Sequence, residues 1–287
     1  MTQLLKWDQT AEHFYETGIS NCALYVQESD GTYPKGAAWN GITAITESPS
    51  GGEANPVYAD NIKYLNLYSA EDFGATIEAL YYPVEFGACN GDEELVEGSG
   101  VYVSQQERKT FGLCYKTIIG NDVDNNDHGY KLHIIYGAKA SPSEQAFNTV
   151  NDSPEPSTFS WEITTIPVDV NFGGLKPTAH LVIDSRKVNP EKLAALEAIL
   201  YGTAAVTAKA AVYKATEDTT YNSAKTYYTR SGSGTDQSPY SYTEAEIDAF
   251  ADATTYYELV SAAVSAADAV DARLPLPAEI ATVLQGN

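Results

Sequence analysis

Two stretches decide the fold: TFGLCYKTII at residues 110–119 and GYKLHIIYGA at residues 129–138. Both are dense in β-branched, aromatic and aliphatic residues, the composition of strands. The nine residues between them, GNDVDNNDH, are the Gly, Asn and Asp of a connection. Two such runs around a polar link predict an antiparallel hairpin with a long loop at 120–128. The strand reading extends outward on both sides. Upstream, CALYVQ at 22–27 is a short strand, followed by the turn signal Asp30-Gly31. GAAWNGITAIT at 36–46 carries Asn40-Gly41, the strongest short hairpin signal, between apolar flanks. A Pro/Gly/Ser loop at 48–55 leads to a further strand region at 58–68. Residues 76–82 alternate, with Ile77, Ala79 and Tyr81 pointing one way and Thr76, Glu78 and Leu80 the other. Downstream, FSWEITTIPVDV at 159–170 places Phe159, Trp161, Ile163 and Thr165 on one face and Ser160, Glu162 and Thr164 on the other. Pro167 puts its end at a sheet edge, and AHLVID at 179–184 is the last strand.

Helices are few. Residues 83–91 read as a short helix with Pro83 in its first turn and Asn90-Gly91 as the stop. The acidic residues Asp92, Glu93, Glu94 and Glu97 follow as a solvated loop. Asn189 is a good N-cap, Pro190 suits the first helical position, Gly202 suits the stop, and Leu193, Leu196 and Leu200 mark one face. Residues 277–286 repeat that logic with Ile280, Val283 and Leu284. Residues 1–20 read as an arm in which Trp7, Phe14, Tyr15 and Ile19 follow no period. Between the two helices the composition shifts to Ala, Thr, Ser and Tyr. Tyr213, Tyr221, Tyr227, Tyr228, Tyr240, Tyr242, Tyr256 and Tyr257 make up eight of the 21 tyrosines. SGSG at 231–234 is a flexible loop tip, and Thr243-Glu244-Ala245-Glu246 fits a capping box opening a short helix with Ile247 and Phe250 inward. The predicted class is mainly β (α+β). A first domain spans 1–203, with 273–287 returning to it, and a small Tyr-rich insert spans 204–272.

Composition bounds the function. The 287 residues fit one or two domains. Seventeen basic against 39 acidic residues give a net charge of −22, a surface that repels phosphate backbones. At 43% hydrophobic the chain is too apolar for a disordered acidic tail. Cys22, Cys89 and Cys114 are odd in number and form no CxxC, which predicts free buried thiols. The first residues show no basic region before an apolar stretch, and no segment reaches the roughly 20 apolar residues of a membrane span. Synthesis in a cytoplasm without a cleaved signal is the expectation. No phosphate-binding loop, dinucleotide fingerprint, HExxH or GxSxG occurs. His13, His128, His133 and His180 lie far apart, and none sits at ligand spacing from a Cys or carboxylate. His133 and His180 fall within strands as hydrogen-bonded core or face residues. The run from Asp122 to Asp127 resembles the start of a calcium loop, but Asp127 stands where the glycine belongs and His133 where the bidentate glutamate belongs. A solvated hairpin loop accounts for it. No enzyme activity, cofactor or metal is predicted.

An ordered pattern runs through the middle of the chain. It comprises Ser104-Gln105-Gln106-Glu107-Arg108, Phe111-Gly112-Leu113-Cys114-Tyr115-Lys116-Thr117, Ile119-Gly120-Asn121-Asp122, Asp127-His128-Gly129-Tyr130-Lys131-Leu132-His133, Tyr136-Gly137-Ala138, Asn151-Asp152-Ser153-Pro154-Glu155, Phe159-Ser160-Trp161-Glu162 and Pro167-Val168. Trp39-Asn40-Gly41, Tyr58-Ala59-Asp60-Asn61, Ala79-Leu80-Tyr81-Tyr82-Pro83 and the ending Leu274-Pro275-Leu276-Pro277 fit it too. The pattern resembles the major tail protein (tail tube protein) of long-tailed, siphovirus-type bacteriophages of Gram-positive bacteria, over about residues 7–202 and 274–286. In that family Leu200-Tyr201-Gly202 passes quickly to the Leu-Pro ending, whereas here residues 204–272 intervene. The resemblance implies a β-sandwich or barrel-like subunit with a flanking helix. Six subunits make a ring, and stacked rings make a tube that conducts genomic DNA out of the virion without binding it specifically. Tape-measure, tail-terminator and distal tail proteins are the implied partners.

Within that frame the arm residues Trp7, Phe14 and Tyr15 are candidates to reach a neighbouring subunit. The polar strand faces Thr76 with Glu78, and Ser160 with Glu162 and Thr164, are candidates to line the lumen. Their other place is against solvent or a neighbour. Two further readings stand beside the DNA conduit. One is a carbohydrate-binding β-sandwich module, argued from the tyrosines. The other is the inner tube of a phage-like injection machine that carries no DNA. A hydrolase ranks below both.

Overall fold

The two deciding runs form the central strands, and both are longer than predicted: β11 and β12 below are separated by only three residues, 122–124. The chain's structure is a computed structural model describing residues 5–149, 152, 156–234, 239–251 and 254–285. Residues 1–4 of the arm, the 151–155 motif apart from Asp152, and Gly286 lie outside the described residues. Two compact units are present, residues 1–203 with 270–287 and residues 204–269.

The first unit runs β1 (Tyr15–Val26), β2 (Gly36–Ala38), β3 (Ile42–Glu47), β4 (Ser50–Gly51), β5 (Ala54–Ala59), β6 (Ile62–Tyr68), β7 (Glu71–Asp72) and β8 (Gly74–Ala79). A 3-10 turn (Val84–Phe86) enters α1 (Gly87–Asn90), which stops at Gly91 in the left-handed conformation. Next come β9 (Glu93–Glu94), β10 (Tyr102–Val103), β11 (Phe111–Asn121), β12 (Asn125–Ala140), β13 (Phe159–Thr165), β14 (His180–Asp184) and α2 (Pro190–Tyr201), and α3 (Pro277–Gln285) ends the chain. An antiparallel sheet takes the order β2-β1-β11-β12-β13-β8-β3, with β14 also paired to β12.

The bend in β12 makes this order possible. Gly137 has φ 60°, and a Cβ there would collide with the Ile166 carbonyl. The register against β11 slips at this point, from Leu113 opposite Ile135 to Phe111 opposite Ala138. A glycine bulge turns a strand and sharpens its twist. Lys131 to Ile135, before the bend, therefore pair with β14, and the last three residues of β12 pair with β13. The sheet curls around one core, to which β1 gives Leu24, β11 gives Leu113 and Tyr115, β13 gives Trp161, β8 gives Ile77, and the 84–90 turn gives Phe86 and Cys89. Trp39, Phe86 and Trp161 pack edge to face or tilted at 4.5–5.8 Å between centroids. On the other face Leu132, Ile134 and Tyr136 meet Leu193, Leu196 and Leu200 of α2 and Ile280 of α3. Asn189 caps α2, its Oδ1 accepting from Glu191 N at 2.9 Å. All three cysteines are free and buried, and burial pushes the Cys89 and Cys114 thiols up to about 12.

Several expectations are corrected. Asn40-Gly41 does not close a hairpin: β2 pairs with β1 and β3 with β8. Trp39 is the reason. It is buried, its N donates to Cys22 O and its Nε1 to Tyr81 O, both at 2.9 Å, so residues 39–41 make a corner between two parts of the sheet. The region 58–68 is not one strand but the end of the β5–β6 hairpin. Asp60 (φ 50°) and Asn61 (φ 64°) are both left-handed, as a two-residue turn requires. The arm ends sooner than predicted, because β1 starts at Tyr15.

In the second unit β15 (Val212–Ala215), β16 (Tyr228–Ser231), β17 (Ser241–Glu244) and β18 (Tyr256–Ser261) form a sheet in the order β15-β18-β16-β17. Its core is aromatic: Tyr213 stacks on Tyr242 at 4.0 Å, and Tyr227, Phe250 and Tyr256 form a second cluster. The expected capping box is strand instead. Glu244 pairs opposite Tyr228, and the Tyr242 ring on Tyr213 holds β17 in the sheet, so strand pairing overrides the local helix signal.

Candidate functional site

The five lumen candidates come together on one face. β8 buries Ala75, Ile77 and Ala79, and β13 buries Trp161 and Ile163, so Thr76, Glu78, Ser160, Glu162 and Thr164 all point away from the core. Ser160 is opposite Glu78 and Glu162 opposite Thr76, so no two carboxylates face each other directly. Lys139 lies opposite Thr164, and Thr46 opposite Thr76, extending the polar face across four strands.

The arm residues are not brought together. Tyr15 opens β1 opposite Gly120, and its hydroxyl donates to Asn126 Oδ1 at 2.8 Å. Phe14 sits tilted against His128 at 5.2 Å, with the Arg186 guanidinium 5.4 Å from its ring. Both rest on their own chain's β11–β12 hairpin. Trp7 is 72% exposed. The calcium-like loop is internally occupied. Asn121 Oδ1 accepts from Val123 N, Asp122 accepts from Ala11 N and pairs with the His13 ring at 3.1 Å, and Asp124 pairs with His128 at 2.9 Å. In the acidic stretch, Glu94 accepts from Gly98 N and Gly100 N, which holds its carboxyl below the usual range.

The sequence reading missed two features. The first is the β5–β6 hairpin. Val57, Tyr58, Ile62, Tyr64, Leu65, Leu67 and Tyr68 are all exposed, Tyr64 by 67% and Leu67 by 58%. Among the described residues the strands pair only with each other. Asn66 of β6 shields an amide oxygen that has no hydrogen-bond partner among the described residues. The available signal was a run, IKYLNLY, apolar on both faces rather than on one.

The second feature is a polar group at the end of the curled core, where β3, β12 and β14 bring Glu47, His133 and His180 together. Tyr115 donates to Glu47 Oε1 at 2.7 Å and stacks on His133 at 4.7 Å, while Phe73 lies against His180 at 4.5 Å. Burial pushes both imidazoles below their ordinary value, and the Glu47 charge pulls each back only in part. No spacing rule finds this group, since its members are separated by 86 and 47 residues along the chain and meet only through the bend in β12. Among the described residues no helix is long and apolar enough to cross a membrane.

No protein-family model and no curated protein matches the chain. One solved structure similar to it is a chain of the PVC sheath–tube complex, an extracellular contractile injection system in its extended state. The two share 12% identity with a TM-score of 0.24, over 57% of this chain and 88% of that one, so the likeness to this tail-like assembly is distant.

Proposed function

We propose that this chain is a structural, non-enzymatic subunit that assembles with copies of itself into a tail-type tube. The observation that carries the reading is the β5–β6 hairpin. A lone two-stranded hairpin is marginal in water, and this one exposes seven large apolar side chains on both faces. Such a patch marks an interaction surface. An edge donated to a different surface of the next copy is heterologous, and heterologous contacts close into rings or continue as filaments. The sequence pattern adds the finer reading. Subunits form hexameric rings stacked into the tail tube of a siphovirus-type virion, made in the host bacterial cytoplasm, with tape-measure, tail-terminator and distal tail proteins as partners. On this reading Thr76, Glu78, Ser160, Glu162 and Thr164 face the passing DNA, where carboxylates repel phosphate and offer no counterion release. The insert at 204–272 decorates the outside, where an added domain neither blocks the channel nor separates the rings.

Electron microscopy and sedimentation of the concentrated full chain test this. Rings or tubes are expected, and a monomer at every concentration overturns the reading. In an assembled phage, Glu78→Lys with Glu162→Lys should leave tubes intact and impair DNA ejection. Unimpaired ejection overturns the lumen assignment. The inner tube of an injection machine without DNA would tolerate both changes.

A further inference from the structure

Glu47 closes β3, His133 lies within β12 and His180 opens β14, so three strands converge on one point. His133 Nδ1 is 3.2 Å from Glu47 Oε1 and 3.2 Å from His180 Nε2, and His180 Nε2 is 3.7 Å from the same oxygen. The proton positions follow from the surroundings. Thr117 donates its hydroxyl hydrogen to Glu16 Oε1 at 2.6 Å, so toward His133 Nε2, 3.1 Å away, it can only accept. His133 therefore carries its proton on Nε2 and turns the bare Nδ1 lone pair to the other two groups. Two acceptors, Nδ1 and a carboxylate oxygen, thus face each other at 3.2 Å. The Tyr115 hydroxyl supplies the carboxylate oxygen with one hydrogen at 2.7 Å and a proton on His180 Nε2 can supply Nδ1, while a cation at the centre engages all three atoms at once.

The size of the triangle selects the cation. Four-coordinate zinc, with bonds of about 2.0–2.1 Å, holds its ligand atoms about 3.3–3.4 Å apart. The three observed edges bracket that spacing. Two imidazoles and one carboxylate suit zinc rather than the all-oxygen sets of magnesium and calcium. The outer contacts are those that hold metal ligands in place. Thr117 and Glu16, itself paired with Lys131, fix the far nitrogen of His133, and the Tyr115 hydroxyl orients Glu47. We propose that Glu47, His133 and His180 form a binding site for a divalent ion of the zinc class, with a fourth position open beside the partly exposed Glu47. The ion ties the end of β3 to β12 and β14, strands that do not pair with it.

The test uses the full chain, stripped with a chelator and titrated with zinc in a calorimeter, then with cobalt followed by its visible absorption. One ion per chain is expected, with a four-coordinate cobalt spectrum and a melting temperature that rises with zinc concentration. His180→Ala should abolish the cobalt spectrum. Glu47→Gln, a conservative change at a strand end, should do the same in a chain that folds normally. Thr117→Val, which removes only an outer contact, should weaken zinc binding roughly 10–100-fold. Changing His13 and His128 together to Ala should alter nothing. The site is refuted if the stripped chain takes up no zinc, if one-to-one binding survives both His180→Ala and Glu47→Gln, or if it disappears with His13 and His128.

Discussion

β8 and β6 are strands of nearly equal length that behave in opposite ways. In β8, Ala75, Ile77 and Ala79 are fully buried and the residues between them are polar or small. In β6, Ile62, Tyr64 and Tyr68 occupy one face and Leu65 and Leu67 the other, and every one of them is exposed. One-sided alternation describes a strand whose apolar face finds its cover within the chain. Apolar residues on both faces describe a strand covered twice, and the described residues supply neither cover. The pattern thus reports what a strand packs against, but not whether the partner belongs to the same molecule.

The largest expected effect lies on the β8 side. Trp161 of β13 is fully buried against Trp39, Phe86 and Phe159, and its Nε1 donates to Asn90 Oδ1 at 3.1 Å. Trp161→Ala should lower subunit stability by about 3–5 kcal/mol, read from urea unfolding of the full chain under conditions that keep it monomeric. A loss below 1 kcal/mol would mean that the aromatic core is not what holds the sheet together.

The same contrast explains how much was legible in the sequence. Local signals were readable where one chain satisfies them. The alternation of β8 and β13, the Asn189 cap and the leucine face of α2 each follow from residues close together in sequence. Signals that depend on distant partners were not readable. Asn40-Gly41 lost its hairpin because Trp39 is claimed by a core built from residues as far away as Trp161. Thr243-Glu244 lost its helix to pairing with Tyr228, and the β12 bend hinges on how one glycine meets Ile166. Of the candidate surface residues, the β8 and β13 set could be grouped from period two alone, although which face meets which was fixed only by register. Phe14 and Tyr15 had no period, and their ties to the β11–β12 hairpin depend on residues more than a hundred positions away. The Glu47, His133 and His180 group needed three strands at once.

A smaller effect tests the ordering of the covered side by pH. Arg186 grips Asp184, with Nε to Oδ1 at 2.9 Å and Nη2 to Oδ2 at 2.7 Å, and these hydrogen bonds hold the Asp184 carboxyl down at about 2. The folded value is below the ordinary Asp value of about 3.9. The pair therefore contributes stability above about pH 4 and loses it as pH falls toward 2. Asp184→Asn should cost at most about 1 kcal/mol near neutrality, as for other well-formed surface pairs. The gap between the two proteins, measured by urea unfolding across that range, should close below about pH 3. A gap that persists at pH 2 would place the effect in packing rather than charge.

The smallest expected effect on folding belongs to the hairpin. Tyr64 and Leu67 lie on opposite faces of β6 and lose almost no buried surface in an isolated subunit when cut back. Tyr64→Ser with Leu67→Ser should change subunit unfolding by no more than about 0.5 kcal/mol, the usual range for surface positions. Assembly should respond quite differently. Large apolar anchors at the centre of an interface cost about 2 kcal/mol or more each when removed, and every 1.4 kcal/mol is about tenfold in the equilibrium constant. The critical concentration for ring or tube formation, followed by sedimentation, should rise by roughly 30-fold or more for each side chain. The pair of measurements separates the alternatives. If the doubly substituted subunit unfolds, the hairpin belongs to the subunit's own core and the contrast with β8 is false. If it folds and assembles as readily as the parent, some other surface joins the copies.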